Sequence, residues 1–262
     1  MIGIFDSGVG GMTVARAVEQ LCPDYPLIYF GDIARTPYGS KSPETIKRYA
    51  ANNIEFLQEQ GAKLIVIACN SAASTALPSL LSHYDMPILD VINPAVARAA
   101  AISRNKHIGI IGTRATIKSG IYEQGISEKQ PGSKVFSQAC PLLVPLVEEG
   151  WLTKRETKMI LRRYLHPLRR KQIDTLVLGC THYPLLKQLI APRIGRRVQL
   201  IDSSIEVART LQAYLADHRR LAEKLHQPAG KNRFFVSDLT ETSNRLAAHI
   251  FGRPITLERV NV

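Results

Sequence analysis

The 262-residue sequence has one tryptophan, four cysteines and no run of about 18 apolar residues, the length a membrane-spanning helix needs. No membrane segment is therefore expected. The cysteines, at positions 22, 69, 140 and 180, form no C-x-x-C pair, which argues against a zinc knuckle and a disulfide-stapled secreted fold. The N-terminus, MIGIFDSGVGG, enters a strand-like run at once, without a basic leader or a cleavage site, so no signal peptide is expected. The expectation is a cytoplasmic, reduced protein whose thiols need another use. Phosphate-loop signatures are also missing. The glycine segment Gly8–Gly11 is not followed by GKS or GKT, and G-x-G-x-x-G would need glycine where Thr13 stands. Asp32 lies at a suitable distance for a ribose contact, but without the fingerprint nucleotide binding has little support.

Cations outnumber anions 34 to 22, and the excess is confined to one part of the chain. Residues 1–152 are balanced, with 13 basic and 13 acidic side chains, whereas residues 153–262 hold 21 and 9. Residues 153–197 alone carry 12 basic and 2 acidic side chains. Such a stretch is either a patch for a polyanion or a solvated helix face. No interleaved aromatics or nucleic-acid motif favour contact with nucleic acid through 153–197, so the solvated face is the preferred reading.

Short apolar runs, several rich in Ile and Val, recur at Ile2–Phe5, Leu27–Phe30, Leu64–Ala68, Ile88–Ile92, Ile108–Ile111, Leu176–Leu178 and Val198–Ile201, and Phe234–Val236 is also strand-like. Several lack polar alternation, as strands buried on both faces do. Amphipathic stretches such as Pro43–Gln60, Lys118–Ser127 and Lys154–Leu165 lie between them; Thr153 and Glu156 are spaced as a capping box for the last. Alternating strands and helices predict parallel sheets covered on both sides. Polar residues 218–233 read as a helix end and a surface loop.

A long-range repeat refines this picture. Ile2-Gly3-Ile4 returns as Ile108-Gly109-Ile110, Phe30 as Phe136, and LIVIAC (64–69) as TLVLGC (175–180), at nearly constant offset. Two similar α/β domains are expected: residues 1–95 with 207–262, and residues 96–206.

Cys69 and Cys180 end equivalent strand-like runs, where open parallel sheets place their ligand clefts. The N–H groups of a following helix stabilise anions there and are expected to lower a thiol pKa. One such cysteine could equally be core packing; two at matching places make that less attractive. Asp6 and Ser7 precede the glycine segment and either cap a helix or assist a thiol and bind an ammonium group. Pro37-Tyr38-Gly39 is a turn or a loop over the cleft. Thr113, Thr116 and Ser119 cap a helix or bind an anion. His182 beside Cys180 could suggest a Cys–His hydrolase, but such pairs normally come from separated segments and no oxyanion site is evident. Glu148 or Glu149 could add a carboxylate. Two thiols facing one substrate suit a two-base proton transfer, in which one removes a proton from carbon and the other returns one to the opposite face. No cofactor motif is present, so fixed donors and exclusion of water must stabilise the carbanion.

DSGVGG (6–11), TPYGSKS (36–42), ACNSA (68–72), GTRATIKSGIY (112–122), CPLLVPLVEEG (140–150) and LGCTHYPLL (178–186) together resemble the glutamate racemases, within the cofactor-independent aspartate/glutamate racemase group. The resemblance implies two similar α/β domains with the active site in the cleft between them and no cofactor. It implies that Cys69 acts on D-glutamate with help from Asp6. Cys180 would act on L-glutamate with help from His182 and Glu148, which the motif prefers to Glu149. Asp6, Ser7, Tyr38, Gly39, Asn70, Ser71, Thr181 and His182 would hold the substrate. Ser71 stands where the family mostly has Thr; the hydroxyl is kept and a methyl is lost. The resemblance further implies a cytoplasmic homodimer whose D-glutamate feeds peptidoglycan synthesis. A racemase for aspartate or another amino acid is the alternative within the same chemistry.

Overall fold

The computed structural model describes residues 1–262. Its strands are β1 (Ile2–Asp6), β2 (Leu27–Gly31), β3 (Leu64–Ile67), β4 (Ile88–Asp90), β5 (His107–Gly112), β6 (Lys134–Ala139), β7 (Thr175–Gly179), β8 (Gln199–Asp202), β9 (Arg233–Val236) and β10 (Glu258–Arg259). They form two sheets flanked by helices, in the orders β10-β9-β2-β1-β3-β4 and β6-β5-β7-β8. Every strand pairing is parallel. The central strands β1, β2, β3 and β7 are buried along their whole length, which explains their uninterrupted apolar sequence.

The repeat is visible in the topology. The order β2-β1-β3-β4 recurs as β6-β5-β7-β8. Gly3 of β1 sits between Ile28 and Ile65, and its counterpart Gly109 of β5 sits between Phe136 and Leu176. The chain tail returns to the first sheet, where β9 pairs with β2 and sets Phe235 opposite Phe30. Phe56 packs against both, at centroid distances of 4.8 Å to Phe30 and 5.4 Å to Phe235. No helix is long and apolar enough to cross a membrane.

Several local expectations are corrected. The stretch Lys118–Ser127 is not one helix: Arg114–Lys118 and Ile121–Lys129 are separate, and Gly120 between them takes a left-handed φ of 68°. The run Ile88–Ile92 stops being strand at Asp90, whose carboxylate accepts from the backbone N–H groups of Ile92 (2.7 Å) and Asn93 (2.9 Å) and so starts the next helix. The capping box at Thr153 does not form; Lys154 is the N-cap of helix Arg155–Arg170, with no side-chain cap. Residues 219–225 form a helix of their own inside the polar stretch 218–233.

Candidate active site

Parallel strands deliver their chemistry at the carboxyl edge, and both sheets do so here. Asp6 ends β1, fully buried. One carboxylate oxygen accepts from the N–H groups of Gly8 (3.1 Å) and Gly11 (3.0 Å), and the other accepts from the Thr181 hydroxyl at 3.4 Å. The carboxylate thus organises the glycine turn rather than capping the helix Met12–Leu21, whose N-cap Gly11 has no side-chain bond. Cys69 follows β3 as N-cap of helix Asn70–His83, and its thiol donates to the Ser7 hydroxyl at 3.5 Å. Cys180 follows β7, with its sulfur 3.8 Å from Nδ1 of His182. The other ring nitrogen of His182 lies 3.2 Å from Oε1 of Glu148. His182 is 3% exposed, while Glu149 is exposed and outside this relay.

Cys69 and Cys180 line one shared cavity. Of the residues expected at the substrate, Ser7, Tyr38, Gly39, Asn70, Ser71, Thr181 and His182 line it as well. Asp6 and Glu148 are not part of the lining, but each contacts a residue that is: Asp6 accepts from Thr181, and Glu148 lies against His182. The Tyr38 hydroxyl is engaged elsewhere, donating to the buried Asp32 and accepting from Asn53 at 3.1 Å. Asp32 also holds Arg35 (2.7 Å) and Ser237 (3.0 Å), so it anchors the 36–41 loop rather than a ribose. Larger hollows occur elsewhere, but neither sulfur opens onto them.

Sequence reasoning missed Val144 in the lining, left Pro37 between a turn and a loop over the cleft, and left Thr113 between capping and binding; Thr36, just before that loop, also lines the cavity. Thr113 caps its helix through a bond from the Thr116 N–H at 3.2 Å and also lines the cavity. Its hydroxyl lies 2.9 Å from that of Ser71, so the hydroxyl kept at 71 is in use. Tyr122 was missed too. Its hydroxyl donates to Oδ1 of Asn70 at 2.7 Å. The Asn70 side-chain N–H₂ is buried without any partner. A buried donor left open in a cavity wall is available to a substrate oxygen. With the Thr13 hydroxyl donating to the Thr181 carbonyl at 3.1 Å, these bonds tie the segments of the two sheets across the cavity.

Electrostatics corrects one expectation. Burial and the nearby negative charge of Asp6 push the Cys69 thiol up to about 12, outweighing the stabilising bonds from Ser7 and the Ala72 N–H. The helix N-terminus alone does not produce a resting thiolate. Burial likewise raises the Asp6 carboxyl above its usual range, against the opposing charge of His182 and the bonds from Gly11, Gly8 and Thr181. Burial pulls His182 down, but its contacts with Cys180 and Glu148 prevail and hold it well above the ordinary imidazole value. No lysine or arginine lines the cavity, leaving hydroxyls, amides, backbone groups and His182 to meet a ligand's charges.

Two buried cysteines, Cys69 bonded to Ser7 and Cys180 beside His182, thus line one cavity from the ends of equivalent strands. The sequence profile of Asp/Glu/hydantoin racemases matches residues 12–211. The glutamate racemase of Geobacter metallireducens is 45% identical over 96% of this chain and 92% of its own length. That of Aquifex aeolicus is 42% identical over 97% and 95%. The crystal structure of glutamate racemase isoform RacE1 from Bacillus anthracis superposes with a TM-score of 0.95 at 35% identity, covering 100% of this chain and 97% of that one. The glutamate racemase of Francisella tularensis in complex with D-glutamate gives 0.90 at 35% identity, covering 99% and 97%. Aspartate racemase from Picrophilus torridus shares only the fold, at 20% identity and a TM-score of 0.56 over 82% of this chain and 94% of its own. The fold and site define an isomerase, an amino-acid racemase. The chain belongs to the Asp/Glu/hydantoin racemase family, in its glutamate racemase branch.

Proposed function

We propose that the protein interconverts L- and D-glutamate without a cofactor, Cys69 and Cys180 exchanging the Cα proton on opposite faces of the substrate. The observation that carries this reading is that Cys69 and Cys180, at the ends of the equivalent strands β3 and β7, line one cavity. Cys69 serves D-glutamate with Asp6 behind it. Cys180 serves L-glutamate with His182 and Glu148 behind it. The open amide N–H₂ of Asn70, with Ser7, Ser71, Thr181 and the backbone at Tyr38 and Gly39, holds the carboxylates and ammonium. Fixed donors of this kind stabilise negative charge developing at Cα because they need not reorganise. On the same reading the domains divide as 1–95 with 207–262 and 96–206, the enzyme is a cytoplasmic homodimer, and its D-glutamate serves peptidoglycan synthesis. Circular dichroism of L-glutamate incubated with the protein alone tests the activity; the signal is expected to decay to zero. Exchange at Cα of aspartate but not glutamate in D₂O would instead assign the aspartate reaction.

The raised thiol has a kinetic consequence. Cys69 must shed its proton to act as base, and below its pKa of about 12 the thiolate fraction rises tenfold per pH unit. The kcat/KM for D-glutamate is therefore expected to climb steadily between about pH 6 and 8.5. A profile flat across that range contradicts a resting thiol at Cys69.

Tyr122 orients Asn70. In Tyr122→Phe the amide loses the bond that fixes which end faces the cavity. A net loss of about 1 kcal/mol is expected for the hydrogen bond, with KM rising about 5- to 10-fold and kcat changing less. Steady-state kinetics in both directions checks this.

A further inference from the structure

The geometry points to a second surface: we infer that the outer face of helix Arg155–Arg170 docks the phosphodiester backbone of a double-stranded nucleic acid. Thr157, Leu161, Leu165 and Leu168 bury one side of the helix against the protein. At 3.6 residues per turn, Arg155, Arg162, Arg163 and Arg170 point away from the buried side, together with Met159 and His166, and Lys158 and Arg169 lie on one flank of that face. All six cations are exposed, and none takes part in any ion pair of the structure. A merely solvating face is normally laced with acidic partners; here Glu156 is the helix's single acidic residue. The neighbouring helix Lys187–Ile194 is docked alongside, with the Arg193 guanidinium bonded to the Lys158 carbonyl at 3.2 Å. It ends just before the exposed Arg196 and Arg197, which extend the same positive field.

The chemistry of the face selects the partner. It is repetitive, of one sign and rich in arginine, whose planar fork pairs with phosphate oxygens. The helix is 16 residues long, about 24 Å, or roughly seven base pairs of duplex. A lipid surface fits less well, because interfacial helices insert an apolar face and this helix has already buried its own. The inference is independent of the racemase reading, since none of the six cations lines the cavity.

Fluorescence anisotropy with labelled 30-base-pair duplexes of DNA and of RNA, and the intact protein, tests it. Micromolar binding of at least one duplex is expected at 50 mM salt, weakening by about 0.9 log units per phosphate engaged for each tenfold rise in salt. The variant Arg162→Glu/Arg163→Glu/Arg169→Glu is expected to bind at least about tenfold more weakly, with a shallower salt slope and unchanged racemisation. The charge-matched control Lys47→Glu/Arg48→Glu/Lys63→Glu, on the other half of the chain, is expected to bind nearly as the parent does. Absence of binding to both duplexes overturns the inference. So does an equal loss in the two variants, or tighter binding to vesicles containing anionic lipid than to either duplex.

Discussion

Cys69→Ala and Cys180→Ala are each expected to lower racemisation by about 10³-fold or more, the upper range for removing a positioned acid–base group and about 4 kcal/mol of barrier. The two losses should differ in kind. Without Cys180, Cys69 can still take the Cα proton of D-glutamate and return a solvent proton to the same face. D-glutamate then exchanges in D₂O while L-glutamate does not. Cys69→Ala should show the mirror pattern. A hydrolase-like mechanism with one nucleophile predicts indifference to loss of one cysteine. Chiral chromatography with mass detection of Cα deuterium separates these outcomes, and full racemisation by either variant contradicts the two-thiol assignment.

Gly10→Ala is expected to remove about 10²-fold of activity without altering a single reacting group. A Cβ at this position would lie 2.5 Å from both Cε1 and Nδ1 of His182 and 2.7 Å from the Thr181 hydroxyl. His182 is buried and held by Glu148, so the ring cannot retreat without leaving Cys180. Displacement of a catalytic group by about 1 Å costs about that factor. The effect should fall on kcat more than on KM, in a protein that stays folded by circular dichroism. An active Gly10→Ala variant argues that the His182–Cys180 contact does not matter to turnover.

What could be read from the chain depended on range. Buried parallel strands write themselves as short Ile/Val runs, so the central strands of both sheets were legible, and the matching Ile-Gly-Ile triplets gave the repeated topology. β6 was less so: Lys134–Ala139 is only partly buried and mixes polar with apolar residues, leaving Phe136 as its one clear signal. Gly120 could mark a helix break only once its left-handed backbone was known. At the site, local motifs named the two cysteines and most of the lining. The bond from Tyr122 to Asn70 spans 52 positions, and the one from Thr13 to Thr181 spans 168, so no spacing rule reaches them. The Cys69 thiol shows the same limit. A helix N-terminus is visible in sequence, but the packing of Asp6 and the loss of solvent that outweigh it are tertiary facts.

The most direct test of paired sulfurs about one stereocentre is the fate of hydrogen in the first turnovers. L-glutamate is mixed with the protein in D₂O, and both enantiomers are recovered early and analysed for deuterium at Cα. Separate donors and acceptors on the two faces predict D-glutamate that is fully deuterated, beside L-glutamate still carrying protium. Protium retained in the product, or deuterium entering recovered L-glutamate as fast as D-glutamate forms, would mean that a single group serves both faces.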